Sequence, residues 1–486
     1  MRSLLVHFFD YVNAVVLVYF IVSAAVYTTL MFISLYTVTL HSRIARRLGY
    51  GNLGDSPVTP PVTLIIPAYN EEDAIVQTAS AMLELNYPEK EVIVVDDGST
   101  DHTAMRMVQH FKLQRVERVY REFIPAQRPL VFYLNPEIPG LLLVSKENGG
   151  KSDALNVGIN IARSPYFCTV DADSIIEKDA LLRLMAPVVH SNVNTVVSGG
   201  VVRIANGSTM DKAMVRQIAM PKTWLERCQV VEYIRTFLFG RPGWNSLGAT
   251  FICSGAFCLL NKEAVIQAGG FSRDTVTEDI DMIAKLHRDL KEKGRKYRMV
   301  FTTDPVCWTE APHDLGTLAK QRRRWQLGLM QTVMRHDKMI FNPRFGATGM
   351  LSMPFHAYVE ALGCVIEAVG TLLLPFSLFF SSMPLWFFAM VILLAVSYGT
   401  VLSMASVLLA DATVRRYPRY RDLWILMAYT LFENLGYRQI ITFYRAQGVL
   451  QYFTGKHKWE VVKHGGFAAR AQAAAPEPRP VEAARA

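Results

Sequence analysis

Thirty consecutive residues, Tyr11 to Leu40, carry no charged side chain. At about 1.5 Å of rise per helical residue, roughly 20 residues cross the hydrocarbon of a bilayer, so residues 11–40 reach across with length to spare. A cleaved signal peptide has a shorter apolar region closed by a small-residue site, and this stretch is therefore read as a retained transmembrane anchor. Arg43, Arg46 and Arg47 come directly after it, whereas only Arg2 and His7 precede it. The positive-inside rule then puts the N-terminus outside and the chain after Leu40 in the cytoplasm. Three more apolar stretches, at about 361–380, 385–410 and 423–444, are candidate spans within a membrane region at 359–445. The last of them carries Glu433, Asn434, Arg438 and Gln439, and two readings stand. Either it crosses and leaves Lys456, Lys458, Lys463 and Arg470 outside, or it lies in the interface and the tail stays in the cytoplasm. Segment 341–358 mixes Gly, Pro, Met and aromatic residues and is expected to lie at the membrane surface. The tail, 446–486, is Ala/Pro-rich and expected to be disordered from about 468.

Composition agrees with a hybrid. Of 486 residues only 19% are charged, against about 25% in a soluble domain. Disorder throughout, collagen-like repeats and a small disulfide scaffold are excluded. Residues 41–340 remain as one soluble domain, large enough for a full α/β fold. The net charge of +9 does not come from one basic tract. Its Arg clusters, Arg43–Arg47 and Arg415, Arg416, Arg419 and Arg421, flank candidate spans, which suits topology and anionic headgroups rather than nucleic acid. The six cysteines form no C-x-x-C pair, so reduced thiols are expected.

Within 41–340 the pattern alternates. Val62–Ile66 and Glu91–Val95 read as strands, with helical spacing from Glu72 to Leu85 between them, and so short a crossover implies parallel pairing. Leu141–Val144 and Tyr166–Val170 are further strands, separated by a helix over 152–162. Such alternation predicts a doubly wound, mostly parallel sheet, with ligands at the carboxyl ends of its strands. Acids stand at those ends: Asp96 and Asp97, then Asp171 and Asp173, and later Glu278 and Asp279. An Asp-x-Asp after a strand offers hard oxygen ligands to Mg²⁺ or Mn²⁺; the same pair also serves as solvated turn acids.

The motifs occur in a telling order. They are Ile66-Pro67-Ala68-Tyr69-Asn70-Glu71, Val95-Asp96-Asp97-Gly98-Ser99, Asn148–Asn156, Asp171-Ala172-Asp173, Phe251–Gly255, Thr277-Glu278-Asp279 and Gln321-Arg322-Arg323-Arg324-Trp325. Over about 61–330 this set resembles the family-2 inverting glycosyltransferases of GT-A fold. Within that family the likeness is to the membrane-integrated cellulose, hyaluronan and poly-N-acetylglucosamine synthases. Q-x-x-R-W is the most specific of the motifs, because it separates the membrane synthases from soluble members.

The resemblance implies a transfer from a UDP-sugar, UDP-N-acetylglucosamine or UDP-glucose, to a growing β-linked polysaccharide, coupled to export. A rival of the same fold adds one sugar to a membrane lipid; a channel or carrier with an inactive domain is a third reading. Under the resemblance Asp97 and Tyr69 hold the uracil, and Lys151, Gln321 and Arg324 meet the nucleotide and its diphosphate. Asp171 and Asp173 place Mg²⁺ or Mn²⁺, Asp279 is the general base, and Glu278 supports it. Trp325 stacks on the acceptor, which Cys253 and Ser254 line; here Ser254 and Gly255 stand in exchanged order against the family's F-x-C-G-S. Arg322 and Arg323 read equally as a solvated helix face. Glu360 and Glu367, seven apart, either line a sugar channel or sit at headgroups and pair with neighbours such as Arg438. The expected setting is the inner cell membrane, multi-pass, with a cytoplasmic catalytic domain and regulation through accessory or export proteins.

Overall fold

The computed structural model describes residues 2–48, 51–54, 56–211, 214–417 and 419–455. The part of the tail expected to be disordered, from about 468, lies outside the described residues, as do Lys456, Lys458, Lys463 and Arg470 and the side chains of Arg46 and Arg47.

Among the described residues, twelve strands build the domain between the apolar helices. They are β1 (Val62–Ala68), β2 (Lys90–Asp97), β3 (Gln114–Val116), β4 (Leu130–Leu134), β5 (Leu141–Lys146) and β6 (Tyr166–Val170). Next come β7 (Ile175–Ile176), β8 (Thr195–Ile204), β9 (Thr209–Asp211), β10 (Met214–Gln217), β11 (Phe257–Asn261) and β12 (Arg298–Thr309). Ten form one sheet in the order β3-β4-β5-β2-β1-β6-β11-β8-β12-β7, and β9 pairs with β10 separately. β1, β2, β5, β6, β8 and β12 run the same way, whereas β4, β7 and β11 run against them. The sheet is mixed and mostly parallel, with the reversed β11 inserted between β6 and β8.

Near-continuous apolar strands bury both faces. Leu64, Ile66, Val92, Val94 and Leu143 enter one core; Ile65, Ile93, Val95, Leu142 and Val144 enter the other. The helices Ile75–Leu83 and Lys151–Ile161 stand where the spacing predicts them. Because the long strands share a direction, Asp97, Asp171 and the residues after β12 end on one edge.

Among the described residues three helices are long and apolar enough to cross a membrane: Ser3–Arg43, Thr348–Phe380 and Leu385–Val414. Their length and composition mark a membrane protein. The first is tied to the others by polar groups at its start, where Asp10 accepts from Ser381 Oγ (2.6 Å) and Ser382 Oγ (2.6 Å).

Two expectations change. The surface segment at 341–358 is not separate, since its later turns, with Thr348–Ser352 and Phe355–Ala361 in wide π-helical form, run into the helix Gly363–Phe380. The stretch 423–444 is not one helix either. It divides into Tyr420–Phe432 and Arg438–Phe453 around a π-helical turn, where Leu435 and Gly436 leave helical geometry. Gly436 takes a φ of +101°, which lacks a Cβ penalty only in glycine. Thirteen residues, the length of Tyr420–Phe432, are too few to cross alone.

Candidate active site

The site assembles at the carboxyl edge of the sheet. β2 and β5 are parallel neighbours with Asp97 opposite Lys146. Their side chains form a buried ion pair, and Lys146 Nζ also lies 2.9 Å from Asp153, which Arg273 holds at 2.6 Å. Asp97 accepts from the backbone N–H groups of Gly149 (3.0 Å) and Gly150 (2.7 Å), while Asn148 donates to its carbonyl at 2.9 Å. The carboxylate thus straps the Asn148–Gly150 loop onto β2, and it still borders the cavity together with the exposed Tyr69. Lys146 was invisible as a site residue in the sequence, where it is one more strand-end lysine.

That loop delivers Lys151 to the head of its helix. Lys151 Nζ bridges Asp171 at 2.7 Å and Glu278 at 2.8 Å, joining the acids after β6 to those of the Thr277–Asp279 turn. Burial works against its charge, but the two carboxylates win and hold the ammonium above the ordinary lysine range. On the other side stands Glu71, whose pKa is pushed up to about 8 by burial and then by the charges of Asp173 and Asp171. Glu71 belongs to the first motif but carried no assignment; only its spatial closeness to the Asp-x-Asp reveals it.

Asp279 lies in the first turn of the helix Glu278–Glu292 and lines the cavity. Its Oδ2 accepts from Gly255 N–H and its Oδ1 from Ile280 N–H, both at 2.9 Å. A Cβ on Gly255 would come within 3.3 Å of the Asp279 Cβ, so glycine permits this approach. Burial raises the pKa of Asp279, with Glu278 adding to it and Lys151 opposing. Ser254 faces the cavity, but Cys253 does not. Its side chain is buried in the core and packs against Gly199, so the acceptor-lining expectation for Cys253 is corrected.

The helix Leu315–Arg335 starts at Asp314, whose side chain accepts from Thr317 N–H at 2.9 Å. It turns Gln321, Arg324 and Trp325 to the cavity, and the buried Oε1 of Gln321 has no hydrogen-bond partner. Arg322 is not on a solvated face. It is buried, ion-paired to Glu232 at 2.8 Å, and stacked over Trp325 at 4.4 Å. Glu232 also accepts from Tyr437 Oη at 2.5 Å, which links this helix to the broken turn at 433–437. Arg323 reaches Gln447 at 3.2 Å.

Tyr69, Asp97, Lys151, Asp171, Asp173, Glu278, Asp279, Gln321, Arg324 and Trp325 border one continuous cavity of about 1530 Å³. It runs from Tyr69, Asp97, Lys151 and the acids to the apolar helices, where Tyr19, Tyr27, Glu367 and Arg438 line it. Glu367 accepts from Tyr19 (3.0 Å) and Thr442 (3.1 Å), and Glu360 pairs with Arg445 at 2.7 Å and accepts from Tyr27. Both carboxylates singled out in the sequence therefore line the cavity and are paired at the same time.

Residues 166–432 match the glycosyl transferase family group 2 profile, and residues 63–123 that of glycosyl transferase family 2. Over 274 residues the chain is 31% identical to the poly-beta-1,6-N-acetyl-D-glucosamine synthase of Staphylococcus aureus (strain MSSA476) and 28% to that of Staphylococcus epidermidis. The match takes in 56% of this chain and 56% of each relative, so it spans about half their length. A solved mannosyltransferase from Pyrobaculum calidifontis, in complex with GDP-Man and Mn²⁺, aligns over 89% of this chain and 99% of its own, with 18% identity and a TM-score of 0.48. S. aureus TarS 1–349 in complex with UDP aligns over 83% and 94%, with 16% identity and a TM-score of 0.36. The profile match alone takes in more than half of the chain: it belongs to glycosyl transferase family group 2 and is a glycosyltransferase.

Proposed function

We propose that the protein transfers a sugar from a UDP-sugar to a growing β-linked polysaccharide and feeds the product between its own membrane helices. One observation carries this reading: a single cavity connects the acids after β6 and the Gln321–Trp325 motif to polar groups between apolar helices. A single-addition enzyme needs a donor pocket and one acceptor position, and about 1530 Å³ exceeds the roughly 300–1,000 Å³ of ordinary ligand pockets. The staphylococcal synthases make a polymer of N-acetylglucosamine, which makes UDP-N-acetylglucosamine the first donor to try.

In this reading Tyr69 and the Asp97 strap hold the nucleotide base, and Lys151, Gln321 and Arg324 meet the diphosphate. Trp325, with Arg322 behind its ring, stacks on the acceptor, and Ser254 borders it. Asp279 takes the proton from the acceptor hydroxyl as its oxygen bonds to the anomeric carbon. The bond from that carbon to the phosphate oxygen breaks, and UDP leaves from the opposite face. An α-linked donor therefore gives a β-linked product. Glu278 holds Lys151 in register with Asp171 and takes no proton.

Among the described residues no three His, Cys, Asp or Glu side chains converge on a metal position. Mg²⁺ sites that serve phosphates need only one or two carboxylates plus phosphate oxygens and water. Asp171 and Asp173 fit that demand as two hard-oxygen carboxylates, two residues apart, that both line the cavity. A bound Mg²⁺ or Mn²⁺ would supply Lewis-acid stabilisation to the diphosphate. Chelation with EDTA should stop transfer in purified membranes, and added Mn²⁺ or Mg²⁺ should restore it. Transfer at the full rate in EDTA would remove the metal from the scheme.

The catalytic edge is proposed to face the cytoplasm of an inner-membrane, multi-pass protein, in line with Arg43 after the first apolar stretch. The test is a panel of radiolabelled UDP-sugars on membranes containing the protein. A ladder of long polymer is the expected product; one labelled glycolipid would replace this reading with single addition.

A further inference from the structure

Trp325 is the side chain assigned to the acceptor, and fixed groups hold it from two sides. The ring is half-buried and lines the cavity. Arg322, three residues earlier on the same face of the helix Leu315–Arg335, lays its guanidinium carbon 4.4 Å from the ring centre. That cation is itself held, because its Nη2 donates to Glu232 Oε2 at 2.8 Å. The same carboxylate oxygen accepts from Tyr437 Oη at 2.5 Å. Arg322 and Tyr437 are buried, and Glu232 joins them at the cavity wall.

Three separate elements meet in this chain of contacts. Glu232 lies on the helix Trp224–Arg235, whose start is locked by a capping box of Thr223 and Glu226. Tyr437 follows directly on the break at Leu435 and Gly436. At the start of that turn Glu433 accepts from Ser403 Oγ at 2.9 Å and pairs with Arg235 at 2.7 Å, so the break is fastened to the helix that carries Glu232. On the other side of Trp325, Gln326 donates to the carbonyls of Glu360 (3.0 Å) and Ala361 (2.8 Å) and accepts from Arg445 Nε at 2.9 Å. The backbone beside Trp325 is therefore pinned without help from Glu232. What Glu232 controls is the guanidinium over the ring.

Indole is the best aromatic partner for a cation, and the planar guanidinium stacks on its face. A fixed guanidinium therefore fixes the tilt of the indole. We propose, resting on the transferase reading above, that Glu232 is a positioning residue for the acceptor: with Tyr437 it sets Arg322, and Arg322 sets the plane of Trp325 on which the terminal sugar stacks. The ligand that feels it is the neutral end of a β-linked glycan, not the nucleotide.

The test uses the full chain purified in detergent, with UDP-N-acetylglucosamine as donor and short β-1,6-linked N-acetylglucosamine oligomers as acceptor probes. Glu232→Gln keeps the shape but loses the charge that holds Arg322, and should raise the acceptor KM about tenfold to hundredfold. Tyr437→Phe removes one hydroxyl and should raise it about threefold to tenfold. In both, kcat at saturating acceptor and the affinity for UDP, read by calorimetry, should stay at the parent values, which also reports that they are folded. A residue that acts through Trp325 loses its effect once the indole is gone. In a Trp325→Leu background, Glu232→Gln should therefore change the acceptor KM by less than about twofold. An unchanged KM in Glu232→Gln, the same factor in both backgrounds, or a UDP affinity that falls as far as the acceptor's would overturn the proposal. Should Glu232→Gln fail to fold, Tyr437→Phe decides alone, and a parent KM in that variant overturns it. A parent protein that binds UDP but turns over no UDP-sugar would overturn the transferase reading instead.

Discussion

Replacing Asp279 by Asn is expected to lower sugar transfer by about a hundred- to ten-thousand-fold, the usual worth of a positioned general base. Donor affinity should stay close to that of the parent, because Lys151, Gln321 and Arg324 remain. The amide is nearly isosteric, yet both oxygens of Asp279 accept backbone N–H groups, from Gly255 and Ile280. The new NH₂ must face one of those donors, so donor affinity is the control that the turn has held. Retained transfer would exclude Asp279 as the base. The pH profile offers an independent check. The base works ionised, so activity falls as the pH drops through its pKa. Burial and then Glu278 raise that pKa, so the acid limb should lie above the roughly 3.9 of an ordinary aspartate. Glu278→Gln removes a negative neighbour and should shift the limb downward.

What could be read from the chain alone was whatever is local. A strand ending in acids gives its position away, which is why Asp97, Asp171 and Asp173 were nameable; Asp279, at the head of the helix Glu278–Glu292 and not at a strand end, was nameable only through its motif, and all four line one cavity. Contacts between distant segments leave no such trace. Arg322 looks like one basic residue in a run of three until Glu232, ninety positions earlier, is folded against it. Cys253 sits within a motif yet is buried in the core against Gly199, a contact between distant segments that the motif does not announce. The stretch 423–444 reads as one apolar helix because Leu435 and Gly436 interrupt the backbone without interrupting the hydrophobicity.

The largest stability effect should come from a residue with no role in the chemistry. Lys146 is completely buried between Asp97 and Asp153, and its ammonium also donates to the Glu147 carbonyl at 2.7 Å. Truncating it to Ala leaves two carboxylates in the interior. Asp153 keeps Arg273, and Asp97 keeps only neutral donors, the N–H groups of Gly149 and Gly150. Breaking a buried pair from one side costs about 3–5 kcal/mol. Denaturant unfolding of the detergent-purified chain, followed by tryptophan fluorescence, should show a loss of that size. The double change Lys146→Met with Asp97→Asn removes both charges and should recover part of it, since the cost lies in the stranded charge and not in the missing contact. Donor affinity should not recover with it, because Asp97 straps the loop that carries Lys151 to Asp171. A double variant restored in both stability and affinity would show that the strap is dispensable and that Lys151 finds its partners without it.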